Sequence, residues 1–351
     1  MPVEWPAEFF EIVDGRSNEP GRNSNPPDDA WAGATYTELI VAGVTRDRYA
    51  TISGRGLDWG SVPMRLFQKA KKLGTWDPQA IDFTRDRPDW NAFTADERDF
   101  LLRTLALFQA GEEGVTQDLL PLIMVVADEG RLEEEIYLTS FLWEEAKHVE
   151  FFRRWLDEVA VAKEDLNRYL TPSYRLLFLE ELPGALNALK TDKSTNSQIR
   201  ASVTYNMIIE GVLAETGYHG FRESLEANGK LPGLLEGIRY TSRDESRHIR
   251  YGVFLLDRLI NASPDGWEVM NQRMNELLGP ALSVVSEFWE DYDEDNGPFG
   301  QRMDTYIDYA STQFDKRMKV LERDRGKSFD EIVKAAVADL KEEDLVHAQA
   351  T

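Results

Sequence analysis

From Ser61 onward the chain is written in the period of the α-helix. Apolar residues recur every three or four positions over roughly 95–128, 131–159, 172–190, 196–228, 231–261, 265–291 and 302–323, with a weaker segment at 328–345. Turn formers separate them: "DEGR" (128–131), "TPS" (171–173), "ANGKLPG" (227–233), "ASPDG" (262–266) and "DNGPFG" (295–300). Thr94 with Glu97 in "TADE", and Ser328 with Glu331 in "SFDE", have the form of capping boxes that start helices. No run alternates as a strand does. Long helices with short connections can bury their apolar stripes only against one another, so the expected fold class is all-α, a helical bundle in one domain. Residues 1–55 are different. "DGRSNEPGRNSNPPDDAWAG" (14–33) is dense in turn formers and reads as an irregular N-terminal arm. The organisation expected is an arm at 1–55, a helical domain at 56–325 and a C-terminal helix and tail at 326–351.

Four of the stripes carry charge where they should be apolar. Stepping by three or four through 95–128 collects Leu101, Leu105, Phe108, Glu112, Val115, Leu119 and Leu122, with Glu112 the only charge. Glu113 falls with Gln109, Thr116 and Gln117 on a solvent-like face. In "FLWEEAKHVEFF" (141–152) the stripe is Leu138, Phe141, Glu145, His148, Phe152 and Trp155, and Glu144 is turned about 100° away. Ile238, Thr241, Glu245, His248, Gly252 and Leu255 repeat that arrangement. Val203, Met207, Glu210, Ala214 and Phe221 point Glu210 inward; the segment 203–214 is apolar nearly all round, which leaves Glu215 as a weaker rival.

A single Glu in an apolar stripe is ordinarily one that snorkels out or finds a salt bridge, and a Glu three residues before a His is common in an acidic chain. The order is what demands more. It runs Glu112, Glu145-Ala-Lys-His148, Glu210, Glu245-Ser-Arg-His248, with gaps of 33 and 35 residues from single Glu to pair, each close to one helix, a turn and the next helix. Burying four unpaired carboxylates would cost many kcal/mol, so a cation must neutralise them. Two divalent ions match a charge of −4. Two helices each giving a Glu and two each giving Glu-x-x-His form the dimetal site of ferritin-like bundles. Oxygen and imidazole donors suit manganese or iron, and the ligand set alone would accept two irons.

Composition narrows the field further. There is no cysteine, so disulfides, zinc–thiolate sites, iron–sulfur clusters and thiol nucleophiles are excluded together, and a cytoplasmic location is expected. A formal charge of −23 argues against nucleic acid or an anionic membrane surface as partner. No stretch of roughly 18 apolar residues spans a membrane, and "MPVEWPAEFFEIVDG" lacks the basic start and apolar run of a signal peptide.

Over residues 56 to 320 the chain resembles the ribonucleotide reductase small-subunit superfamily, and within it the small-subunit-like ligand-binding oxidases. The motifs that carry this are "GLDWGSVPMRLF" (56–67), "WDPQAIDFTRDRPDW" (76–90), "QAGEEGVTQDLLPL" (109–122), "FLWEEAKHVEFF", "RASVTYNMIIEGVLAETGY" (200–218) and "RDESRH" (243–248). The resemblance implies Glu112, Glu145 and His148 on one metal and Glu210, Glu245 and His248 on the other, with bridging carboxylates, and one manganese with one iron. It implies Asp244 behind a ligand histidine, with Trp76 beside it. It also implies an ether bond between the Tyr205 oxygen and the Val115 β-carbon. Attack on that unactivated C–H bond needs a strong oxidant made from O2. On an ideal helix Tyr205 stands about 140° round from Glu210, so only its length or a distorted helix brings it to the metals.

The function implied is an O2-activating oxidase, an oxidoreductase binding a long-chain fatty acid in an apolar tunnel, re-reduced by an unknown electron donor and assembled as a homodimer. A manganese–iron reductase subunit is the alternative. Phe152 stands four residues after the first ligand His, where standard reductase subunits keep a radical tyrosine; a subgroup of manganese–iron subunits also has Phe there, so this position does not separate the two. Against the reductase role stands the end "KEEDLVHAQAT", which lacks the relay tyrosine; the last tyrosine is Tyr309. A ferritin-type iron store is the non-enzymatic alternative, disfavoured by length. His219 reads as structural and His347 as an exposed tail residue.

Overall fold

The computed structural model describes the backbone of residues 49–350 and the side chains of residues 49–340. The helical elements described below all belong to one compact unit, Ala50–Thr351. Nearly all of the expected arm lies outside the described residues, as does the side chain of His347.

Every regular element described is helical. The main ones are α1 (Val62–Leu73), α2 (Ala95–Asp118), α3 (Leu120–Asp128), α4 (Leu132–Trp155) and α5 (Thr195–Ser202). After α5 come a π-helical run, Val203–Ala214, and α6 (Glu215–Phe221). Then follow α7 (Pro232–Ala262), α8 (Gly266–Trp289), α9 (Met303–Asp324) and α10 (Phe329–Ala350). Helix α2 packs on α4, and the π run packs on α7. Helix α4 also meets α7, and α1 lies across both. Two helix pairs thus face each other around one interior. No described helix is long and apolar enough to cross a membrane.

Both capping boxes form. Thr94 N–H donates to Glu97 Oε2 at 2.7 Å, and Glu97 N–H donates back to Thr94 Oγ1 at 3.2 Å. Ser328 and Glu331 do the same. The segment expected as one helix over 95–128 is broken at Leu119, and α3 starts anew. Pro121 is the cause: it has no N–H to give to the carbonyl one turn back, and its ring crowds that carbonyl. The start of α7 is capped from a distance. Asp86, fully buried, accepts from Gly233 N (2.8 Å), Leu234 N (2.8 Å) and Trp155 Nε1 (2.9 Å).

The π run is the larger departure from regular periodicity. Its hydrogen bonds reach five residues back rather than four, which brings residues i and i+5 about one turn apart. Tyr205 and Glu210 are such a pair. The run packs close to α7 at Gly252, where a Cβ would collide with the Asn206 side chain.

Candidate metal centre

The six expected residues converge. Glu112 comes from α2, Glu145 and His148 from α4, Glu210 from the π run, and Glu245 and His248 from α7. All are buried. They form two quartets whose donor atoms lie within 4.8 Å of one another: Glu112, Glu145, His148, Glu245; and Glu145, Glu210, Glu245, His248. Glu145 and Glu245 belong to both, which is the position of bridging carboxylates. Glu113 is exposed and Glu215 is outside both quartets.

Each imidazole turns the same nitrogen inward. His148 Nδ1 lies 3.3 Å from oxygens of Glu112, Glu145 and Glu245. His248 Nδ1 lies 3.2 Å from Glu145, 3.4 Å from Glu245 and 3.6 Å from Glu210. Donor atoms around one first-row ion at roughly 2.0–2.2 Å stand about 3 Å apart, so these spacings suit a shared cation. The opposite nitrogens are held from behind. His148 Nε2 faces Asp244 Oδ2 at 3.4 Å, and His248 Nε2 faces Glu144 Oε2 at 2.9 Å. A carboxylate behind Nε2 keeps the proton there and leaves the Nδ1 lone pair free for a metal.

Asp244 was expected in this role; Glu144 was not. It lies off the apolar stripe, yet it is fully buried because α1 and α7 cover that side of α4. The signal was in the repeat itself: Glu144-Glu145-Ala-Lys-His148 and Asp244-Glu245-Ser-Arg-His248 are the same five-residue device. Its cations pair with its outer acids. Arg247 bonds Glu144 and Asp244, each at 2.6 Å, and Lys147 bonds Asp244 at 3.1 Å and the Gly74 carbonyl. Trp76 Nε1 donates to Asp244 at 2.7 Å, and its ring stacks on His148 at 6.2 Å. Two acids and two cations cancel, so this outer layer is neutral and has no Arg or Lys to spare for the four inner carboxylates.

The electrostatics register the missing balance. Burial pushes the Glu112 carboxyl up to about 8, against the opposing pull of His148. Burial and then Glu245 raise Glu210. For Glu145 burial also acts upward, but the two histidines outweigh it and hold the carboxyl low. Burial would lower both histidines, but the surrounding carboxylates raise them well above their ordinary range. Glu210 Oε1, Glu245 Oε2 and His248 Nδ1 are buried without a hydrogen-bond partner. Orphaned acceptors converging on one point fit a cation, and an oxygen-rich set with two nitrogens and no sulfur fits manganese or iron.

Tyr205 reaches the cluster: its hydroxyl donates to Glu145 Oε1 at 2.8 Å. The five-residue ladder of the π run supplies the rotation that a regular helix lacks. Burial raises the phenol well above its usual range, so it stays protonated. Val115 and four cluster carboxylates line one wall of an apolar cavity, which continues past Phe108, Phe178 and Val284 to Phe288 and Trp289. It admits the centre of a water-sized sphere over about 130 Å³. Phe152 is fully buried against Phe108, ring centroids 5.3 Å apart. His219 stands apart, stacked on Tyr309 at 4.1 Å.

A bundle in which two Glu-x-x-His helices face two Glu-bearing elements defines the ferritin-like, dimetal-carboxylate class. Residues 65–325 match the family "ribonucleotide reductase, small chain". Solved R2-like ligand-binding oxidases are also similar. A tyrosine-to-phenylalanine variant with aerobically reconstituted Mn/Fe cofactor is 38% identical, with 79% of this chain and 98% of that chain covered and a TM-score of 0.73. A valine-to-isoleucine variant, also with aerobically reconstituted Mn/Fe cofactor, is 37% identical, with 78% and 99% covered and a TM-score of 0.75. The chain belongs to the ribonucleotide reductase small-chain family, in its branch of R2-like ligand-binding oxidases, and is an oxidoreductase.

Proposed function

We propose that the protein is an O2-activating oxidase that holds one manganese and one iron between Glu112, Glu145, His148, Glu210, Glu245 and His248. In this reading it binds a long-chain fatty acid in the apolar cavity and joins Tyr205 to Val115 by an ether bond. The observation that carries this is the Tyr205 hydroxyl, 2.8 Å from Glu145 inside the carboxylate cluster, with Val115 in the wall of the cavity beside the same residues. The solved oxidases include variants at a glycine, at a valine four residues on, and at a tyrosine ninety residues beyond that valine. Gly111, Val115 and Tyr205 stand at those spacings here.

When bound, the metal pair supplies the reducing equivalents and the oxidising power needed to split O2. The protein's residues do the rest. Asp244 and Glu144 fix the two imidazoles, and Glu145 and Glu245 tie the two ion positions together. Ether formation removes a hydrogen from the Tyr205 oxygen and one from the Val115 β-carbon, two electrons and two protons in all. O2 is the acceptor, and two further electrons complete its reduction to water. Glu145 already accepts the phenol hydrogen bond, so the first proton has a carboxylate to go to. The apolar lining keeps water from quenching the oxidant. Phe152 has no hydroxyl to oxidise, so no tyrosyl radical is stored at that position.

The homodimer and the cytoplasmic location belong to the same proposal. Leu120 and Met124, one turn apart on α3 and 51% and 60% exposed, offer an apolar face for a second copy. Peptide mapping of protein loaded with manganese and iron in air tests the central step. The expected product is a linked pair of peptides carrying Val115 and Tyr205, lighter by two hydrogens; unlinked peptides in fully loaded protein would refute it.

A further inference from the structure

The apolar cavity ends at a wall of rings, and a second, polar cavity begins on the other side. Phe100 and Phe288 line the first. Tyr292 and Phe299 line the second, together with Asp99, Arg103 and Tyr169. The rings interlock: Phe100 lies 5.0 Å from Phe288, 5.4 Å from Tyr292 and 6.2 Å from Phe299, centroid to centroid and edge to face. One layer of side chains separates the two cavities.

The outer half of that layer sits on the connection between α8 and α9. Gly297 lies so close to Trp289, itself part of the apolar lining, that a Cβ would overlap the indole. Phe299 has φ 57° and ψ 19°, a left-handed conformation that is strained for an aromatic residue. Its ring is held by edge contacts to Phe93 (5.2 Å) and Phe100. The other tie is Arg103, buried beneath the Tyr292 ring at 5.0 Å, which donates to the Phe288 carbonyl at 2.9 Å and pairs with the exposed Asp291. Arg103 Nε is buried and has no hydrogen-bond partner. The hydroxyls of Tyr169 and Tyr292 both donate to Asp99 at 2.6 Å. A strained ring and an ion pair open to water on one side therefore close the connection over the cavity.

We propose that the vestibule lined by Arg103, Tyr292 and Phe299 is the entrance by which a long-chain fatty acid reaches the apolar cavity, and that residues 290–301 swing as its gate. This rests on the reading of that cavity as the ligand's place. Arg103 and Arg168 are the cations of a rim that also carries Asp99, Asp291 and Asp293. Turning Phe299 out of its left-handed conformation relieves strain and opens the wall where it is one ring thick.

Stopped-flow binding of cis-parinaric acid, a fatty acid that fluoresces in apolar surroundings, to the metal-loaded full chain tests the entrance. A gate alters the two rate constants together and leaves their ratio alone; a contact inside the cavity alters dissociation. Phe299→Ala is expected to raise both association and dissociation by about tenfold, with Kd within about twofold. The chain has no cysteine, so Asn296→Cys on the exposed rim can be alkylated with a bulky maleimide, which is expected to slow both rates. Circular dichroism melting confirms that each variant folds, and the rim label serves if Phe299→Ala does not. Unchanged rates in the labelled protein, or a Kd altered through dissociation alone in Phe299→Ala, would overturn the entrance. If the unsubstituted chain shows no saturable binding, the fatty-acid reading itself falls and the entrance falls with it.

Discussion

Glu144 and Asp244 decide which ring nitrogen of His248 and His148 is turned to the cluster, and they do so from behind. Glu144→Gln keeps the shape but removes the charge that orients His248 and balances Arg247. Metal affinity is expected to fall by about 10–100-fold, which metal titration followed by elemental analysis measures. Proton linkage gives a second expectation. Before loading, burial raises Glu112 to about 8, so it holds its proton near neutrality, and Glu210 and both histidines are raised as well. Ligation requires those protons to leave. Loading should therefore strengthen as pH rises through about 8 and weaken as it falls, with protons released in a weakly buffered titration; pH-independent loading would contradict it. Tyr205→Phe should bind metal normally and yield no mass loss, because only the phenol oxygen of Tyr205 is removed. The inward-facing Glu and His residues were legible in the sequence because a helix with one buried stripe leaves little choice of which side chains face in. Glu144 was not, because α4 is covered on more than one side and a single-stripe reading sees only one.

At the scale of elements, the π run sets the position of Tyr205. It was not legible because residues 203–214 are apolar nearly all round, and a segment without a polar face shows no period from which a wider turn could be read. The break at Leu119 was similarly hidden: Pro121 was visible, but the apolar stripe runs on through it. Asp86 was missed for another reason, since a cap supplied from more than a hundred residues away leaves no local pattern. Asp86→Ala strips three donors of their acceptor at the start of α7, the helix that carries Glu245 and His248. A loss of about 3 kcal/mol is expected from urea denaturation of the metal-free protein. A change below the error of the method would show that water replaces the carboxylate.

For the whole molecule, the ordering of four helical elements into two facing pairs makes the site a single joint between them. The formal charge of −23 is carried mostly on the surface, but burial of the inner four carboxylates, which raises Glu112 and Glu210, costs stability that bound cations offset. Metal should therefore act as a structural ligand as well as a cofactor. With free ion at about 1,000 times Kd, stability should rise by about 4 kcal/mol, seen as a higher melting temperature that chelation reverses. The all-α class was legible from the long helical periods, because short connections permit few ways to bury so many stripes. The most direct measurement is anomalous X-ray diffraction from crystals grown with manganese and iron, collected at both absorption edges. Two peaks are expected, one within each quartet, with Glu145 and Glu245 touching both. No peak between the six side chains, or a single ion bound elsewhere while those side chains turn to water, would contradict it.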